Sequence, residues 1–151
     1  NGTREPGEDC DDGNLADGDG CSAACEAEMV ACVDDDFEDN DQLAAARRIE
    51  AGNYEGLQAC GDDDDYYEIL VCAGGNLRVD VLFSHARGDI DIALISADLA
   101  LIAESVSVSD NEAVAWRNGP QDEALVYLNI EGFNGAENAY TLNIDIQGCA
   151  E

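Results

Sequence analysis

Beyond residue 65 the chain alternates apolar and polar positions with a period of two. Leu77, Val79, Val81 and Phe83 interleave with Arg78, Asp80 and Leu82, and Leu142, Ile144 and Ile146 interleave with Asn143 and Asp145. That period belongs to a strand with one buried face. The same reading predicts seven strands, over residues 66–71, 77–83, 90–96, 101–108, 113–116, 124–130 and 140–146. Turn formers separate them at Gly74-Gly75-Asn76, Gly88, Asn118-Gly119-Pro120 and Gly132 to Gly135. With no long helical pattern between them, the expected fold is all-β, an antiparallel β-sandwich of jelly-roll-like form.

The first 65 residues read differently. Residues 1–31 hold turn formers and acids around Cys10, Cys21 and Cys25, with no strand-like run. Such a segment is held by cross-links or ions rather than by a core, so it is expected to be a small, disulfide-stapled, loop-rich appendage. Residues 32–65 are also loop-rich, with acids massed at 34–41 and 62–65, and residues 44–49 offer one helical turn at most. The expected domains are therefore 1–31, a partial cysteine-rich acidic repeat, and 32–151, the sandwich. A length of 151 residues suits one domain plus an appendage.

Charge narrows the partners. Thirty-five acidic residues stand against six basic ones, all arginine, for a formal net charge of -29. Phosphate binding needs clustered positive charge, so nucleic acid is excluded, and an anionic membrane surface repels the chain. No apolar run approaches the roughly 18–20 residues that span a bilayer, so membrane insertion is not expected. The chain opens Asn1-Gly2-Thr3-Arg4-Glu5-Pro6 without a leader, and an export signal is expected to have been removed or to lie upstream. A hydrophobic content of 46% is too high for a disordered chain. The acidity is then explained by solubility, by life at high salt, or by bound cations. Seven cysteines without paired Cys/His ligand sets point to disulfides and an oxidising compartment, secreted or at the cell surface. The odd count leaves one sulfur free or bonded outside the chain.

An ordered set of features over residues 32–149 resembles the bacterial pre-peptidase C-terminal domain. It runs from Asp36-Phe37-Glu38-Asp39-Asn40-Asp41 through Ile49, Gly52 and Gly56-Leu57 to the stretch from Gly61 to Tyr67. Ala73-Gly74-Gly75-Asn76-Leu77, Gly88-Asp89-Ile90-Asp91-Ile92-Ala93-Leu94 and Asn138-Ala139-Tyr140-Thr141-Leu142 follow. The resemblance implies a β-sandwich appended to secreted proteins, with calcium where the lead-in meets the first strand. By position its ligands are Asp36, Glu38, Asn40 and Asp41, with Asp63 and Asp65 the choice from the aspartates before the paired tyrosines. Asp36 replaces a glutamate of the family pattern and has a shorter reach. Residue chemistry agrees with the resemblance, because Ca²⁺ takes six to eight oxygens and carboxylates on an extended loop supply them. Without an ion, close carboxylates repel by about 4 kcal/mol per pair at an effective dielectric of 20. The alternative is an acidic run that is merely solvated.

Residues 5–25 resemble a second family, the myxobacterial-type disulfide repeat, through Cys10-Asp11-Asp12-Gly13-Asn14, Gly18-Asp19-Gly20-Cys21-Ser22 and Cys25. Asp11, Asp12, Asn14, Asp17 and Asp19 crowd one glycine-rich loop that is a candidate for a further ion, with turn formation an equal explanation. A complete repeat carries another cysteine upstream, which accounts for the odd count. The sandwich cysteines are then expected to pair Cys32 with Cys60 and Cys72 with Cys149.

Other signals carry less. His85, the single histidine, adjoins Ser84 but has no Gly-x-Ser-x-Gly setting, so catalysis is not expected. Arg87-Gly88-Asp89 coincides with the Gly-Asp-x-Asp segment of the sandwich. The expected function is a secreted, non-catalytic, calcium-stabilised interaction or structural module, whose partners are other extracellular proteins or polymers. The rivals are a subunit of a homo-oligomeric fibre joined through the N-terminal segment, and a collagen- or polymer-targeting domain of a secreted hydrolase. Exposed tyrosines in a flat strip favour the last.

Overall fold

Alternation of buried and exposed side chains survives into the folded chain almost position for position. In the computed structural model, which describes residues 24, 32, 33, 35–61 and 64–149, nine strands form among the described residues. They are β1 (Arg47–Ile49), β2 (Gly52–Ala59), β3 (Asp65–Val71), β4 (Asn76–Leu82), β5 (Ile90–Ser96), β6 (Leu101–Ser105), β7 (Glu112–Arg117), β8 (Ala124–Gly132) and β9 (Asn138–Gln147). Five of them make one sheet in the order β1-β3-β8-β5-β6, and four make the other in the order β2-β9-β4-β7. The chain divides into two units, Asn1–Cys32 and Val33–Glu151, and the sandwich belongs to the second.

The inner faces meet along the alternating positions. Tyr67, Ile69 and Val71 of β3, Leu128 and Ile130 of β8, and Ile90, Ile92 and Leu94 of β5 are buried against Leu77, Val79, Val81, Leu142 and Ile144 of the other sheet. Each such side chain contributes roughly 1.5–3 kcal/mol relative to exposure. At one end Cys72, just past β3, is bonded to Cys149, just past β9, so the bridge staples the two sheets to each other. Asn118 closes the same end, its amide donating to the carbonyls of Val71 and Cys72, each at 3.0 Å. Cys32 and Cys60 are also in disulfides. No helix among the described residues is long and apolar enough to cross a membrane.

Two strands escape the alternation rule. β2 reads Tyr54, then Leu57 and Ala59, because its register against β9 shifts between Tyr54 and Leu57, where Gly56 has φ +73°. One extra residue in a strand moves the buried set to the other parity. β1 is only three residues long and pairs in parallel with β3, whereas every other pairing is antiparallel. In place of a helical turn over 44–49 the chain has a 3-10 turn at Leu43–Ala45 and then β1. The strand expected over 101–108 stops at Ser105. There the buried Glu112 carboxylate takes the Ser105 hydroxyl together with the amide and hydroxyl of Ser107, which turns the chain toward β7.

Candidate metal centre

Residues 35–41 reach the sandwich beside the start of β3, and protein contacts hold them there. Asp35 accepts from the Phe37 amide and from the Gln58 amide of β2, both at 2.9 Å. Phe37 stands edge-on to Tyr54 and Tyr67, with ring centroids 5.9 and 5.7 Å apart. Arg47, the first residue of β1, donates through Nε to the Phe37 carbonyl at 2.8 Å and through Nη2 to the Glu38 carbonyl at 3.0 Å. A guanidinium presents several donors in a rigid fork, which suits two successive carbonyls.

Beyond Phe37 the segment gathers oxygens. Glu38, Asp39 and Asp41 each offer a carboxylate oxygen within 4.8 Å of the others, and this is the one such group of three among the described residues. Asn40 between them is completely buried, its carbonyl accepting from the Tyr66 amide at 2.9 Å. One terminal atom of the Asn40 amide lies 3.1 and 3.2 Å from the two Glu38 carboxylate oxygens. With nitrogen there it donates to Glu38; with oxygen there it adds a neutral ligand to the carboxylate group. Asp65, the first residue of β3, is 1% exposed and accepts from the Tyr140 hydroxyl at 2.5 Å. Tyr140 and Tyr67 hydroxyls lie 2.8 Å apart.

Electrostatics marks the same spot. Burial, contact with Asp41 and the fields of Asp65 and Asp41 push the Glu38 carboxyl up to about 8. Burial also raises the Tyr67 and Tyr140 hydroxyls, with Asp65 contributing to both. An oxygen-only set of carboxylates and an amide, with no imidazole or thiolate, is chemistry for a hard cation such as Ca²⁺ rather than for zinc or copper.

Of the residues expected from sequence, the structure brings Glu38 and Asp41 together beside the Asn40 amide, and Asp65 is near enough for its charge to act on Glu38. Asp36 stands apart and exposed, on a groove also lined by Asp35, Phe37, Glu55, Gly56 and Leu57. Asp63, and Asp11, Asp12, Asn14, Asp17 and Asp19 of the N-terminal loop, lie outside the described residues. Asp39 joins the group unforeseen, although it sits in the same acidic run. Arg47 was also missed; an Arg-Arg pair in so acidic a chain is the signal that points to it.

The remaining motifs are used structurally. His85 opens a 3-10 turn, with Nε2 3.5 Å from an Asp89 carboxylate oxygen and its own amide donating to Asp110 at 2.8 Å. The buried Asn138 amide donates to the carbonyls of Ser84 at 2.8 Å and Gly88 at 2.9 Å, which pins the turn containing Arg87-Gly88-Asp89.

No family model matches the chain, and no curated protein matches it. Solved structures do resemble it. The pre-peptidase C-terminal domain of a collagenase from Bacillus anthracis superposes with a TM-score of 0.55 at 19% identity, over 66% of this chain and 94% of that one. PliG from Aeromonas hydrophila, a periplasmic inhibitor of g-type lysozyme, superposes with a TM-score of 0.50 at 11% identity, over 68% of this chain and 99% of that one. At such identities the likeness establishes a shared fold: the protein is a disulfide-linked β-sandwich of the architecture that the pre-peptidase C-terminal domain also has.

Proposed function

We propose that the protein is a secreted, non-catalytic interaction module whose lead-in segment is fastened to the sandwich by calcium. The observation that carries this reading is the meeting of Glu38, Asp39 and Asp41 with the buried Asn40 beside the buried Asp65. The carboxylates of Glu38, Asp39 and Asp41, with Asp65 acting on Glu38, crowd one another unless Glu38 keeps its proton or a cation joins them. Glu38, Asn40, Asp41 and Asp65 hold the ion, Asp39 adds a further carboxylate, and water completes the six to eight positions. Disulfides on both sheets agree with an oxidising, extracellular setting. Calcium should raise the melting temperature, with stabilisation of about 2.7 kcal/mol at a hundredfold excess over the dissociation constant. A melting temperature identical in chelator and in excess calcium overturns the reading.

A second reading, polymer or collagen targeting, is favoured by the outer face of the five-stranded sheet. There Tyr66 and Tyr127 stand half-buried on neighbouring strands, with Leu70, Leu125 and Ile95 around them. The Arg48–Glu68 ion pair lies among them, and aromatic and apolar side chains interleaved with polar ones in this way suit an extended polymer. Co-sedimentation with insoluble collagen tests it, against a chain carrying Tyr66→Ser and Tyr127→Ser. Assembly into a fibre through the N-terminal segment predicts multimers in light scattering that reductant dissolves.

A further inference from the structure

A row of apolar side chains on the outer face of the five-stranded sheet runs to an open edge. Tyr127 of β8 stands across from Ile95 of β5, and Ile95 across from Leu101 of β6. β6 pairs with β5 alone and ends the sheet. Leu101 is 58% exposed, and Leu99 before the strand and Val106 and Val108 after it are more exposed still. The backbone is open as well. Among the described residues, 101–106 make no backbone hydrogen bond away from β5.

Unpaired strand edges invite added strands, and proteins blunt them with short strands, bulges, covering segments or charges. The other three edges here are blunted in these ways. β1 is three residues long, β2 carries the bulge at Gly56 and gives its Gln58 amide to Asp35, and β7 exposes only Ala113, Ala115 and Arg117. β6 has large apolar residues where the others have none.

Charge selects what the edge can accept. No lysine or arginine occurs between Arg87 and Arg117, whereas Asp98, Glu104 and Asp110 stand exposed on or beside β6. Ile92 and Leu94 are buried inward, so Ala93 and Ile95 face outward, and Glu104 and Leu101, which pair with them, share that outer side. A second copy of a chain with net charge -29 would set acid against acid along this edge. A cationic occupant meets attraction instead.

We propose that β6 is a docking edge, to which an extended cationic segment of another protein adds as a further strand of the five-stranded sheet. Main-chain hydrogen bonds to β6 supply affinity, and alternate side chains of the added strand supply specificity. On the outer side the segment places apolar residues beside Leu101 and Val106 and a lysine or arginine between them, beside Glu104. This strand addition is separate from a polymer lying across Tyr66 and Tyr127.

The probe is the synthetic peptide acetyl-Lys-Val-Thr-Lys-Thr-Val-Lys-amide, which presents the same pattern in either strand direction. It is titrated into the full chain while amide shifts and hydrogen exchange are recorded, in salt that brings the Debye length to about 8 Å so that diffuse attraction is screened. Amides of residues 101–106 should shift and saturate, and the outward amides of β6 should exchange more slowly. A peptide with proline in place of both threonines has the same charge but cannot pair as a strand, and it should leave these amides unmoved. Leu101→Lys with Glu104→Lys, both at exposed positions, should weaken binding at least about tenfold, whereas Tyr66→Ser with Tyr127→Ser should leave it unchanged. Absence of a saturable response at peptide concentrations up to about 1 mM overturns the proposal. So does an equal response to the proline peptide, which would show attraction by charge alone, or a response abolished by the tyrosine changes, which would put the peptide on the sheet face. Dimers of the peptide-free chain in light scattering that Leu101→Lys with Glu104→Lys dissolves would give the edge to a second copy and overturn it too.

Discussion

The Tyr140 hydroxyl donates to the Asp65 carboxylate at 2.5 Å, and the two residues belong to different sheets, Tyr140 to β9 and Asp65 to β3. Asp65 is thus part of the packed interior as well as a candidate ligand. The core and the proposed cation position share one carboxylate, held from one side by Tyr140 and acting on Glu38 from the other.

Tyr140→Phe should therefore cost more than a neutral buried hydrogen bond. A bond to a charged group contributes about 1.5–3 kcal/mol, and its removal leaves the Asp65 carboxylate without its tyrosine donor. Urea denaturation should show a loss in that range, accompanied by weaker calcium binding because Asp65 is no longer oriented. A calcium affinity equal to that of the wild type would separate Tyr140 from the ion.

Acidity should govern the calcium-free protein in an unusual direction. The Glu38 carboxyl is raised from 4.5 to about 8 by burial, Asp41 and Asp65. A carboxyl that is raised on folding binds its proton more tightly in the folded state, so its contribution is fully present below the unfolded value. That contribution is lost as pH rises through the folded value. In chelator, stability should fall between these two pH values, and saturating calcium should cancel the fall. Calcium binding at neutral pH should also release protons. Calorimetry in two buffers of different ionisation enthalpy reads this directly, and identical heats in both would show that no proton leaves.

Removing the staple should be more damaging than removing any one surface charge. Cys72 and Cys149 are 77 residues apart in sequence, and closing a loop of that length is worth about 4.5 kcal/mol on the chain-entropy account. The Cys72→Ser, Cys149→Ser chain should lose about that much in denaturant unfolding. A loss near zero would mean that Asn118 and the sheet packing already hold this end of the sandwich.

The strands that alternate were legible in the sequence because their buried side chains are apolar and their period is unbroken. Residues 90–96 form β5 with the bounds that alternation predicts. β2 was hidden because the bulge at Gly56 changes its parity midway and because Glu55 and Gln58 dilute its apolar content. The acidic run showed where oxygens collect, but composition gives no direction to a side chain. The chain turns Asp36 away and brings Asp39 in, because Asp35 and Arg47 fix the backbone on either side of that choice. Asp91 was legible only as part of a turn motif. Its burial depends on β6 and β8 flanking it, a relation between distant segments that no local pattern records.

The lead-in segment provides the most discriminating prediction, because more than an ion fastens it. From sequence alone only Val33 and Phe37 were available to bury, and Val33 is 79% exposed. Yet Phe37 packs against two tyrosine rings, Asp35 is bonded to β2, and Arg47 grips two carbonyls. Replacing Glu38 and Asp41 with alanine removes two proposed ligands and should abolish calcium binding there without detaching residues 35–37. The Tyr66 amide is the natural reporter, since it donates to the Asn40 carbonyl at 2.9 Å and so joins the segment to β3. Its hydrogen exchange in calcium should accelerate in the variant, together with the amides of residues 38–41. Amides in the paired β4 and β9, such as those of Val79 and Ile144, should keep their protection, because local opening follows local contacts. A uniform loss across β4 and β9 would mean that the bound ion is part of the stability of the whole core. Unchanged exchange at Tyr66 would mean that Arg47 and Phe37 hold the segment by themselves.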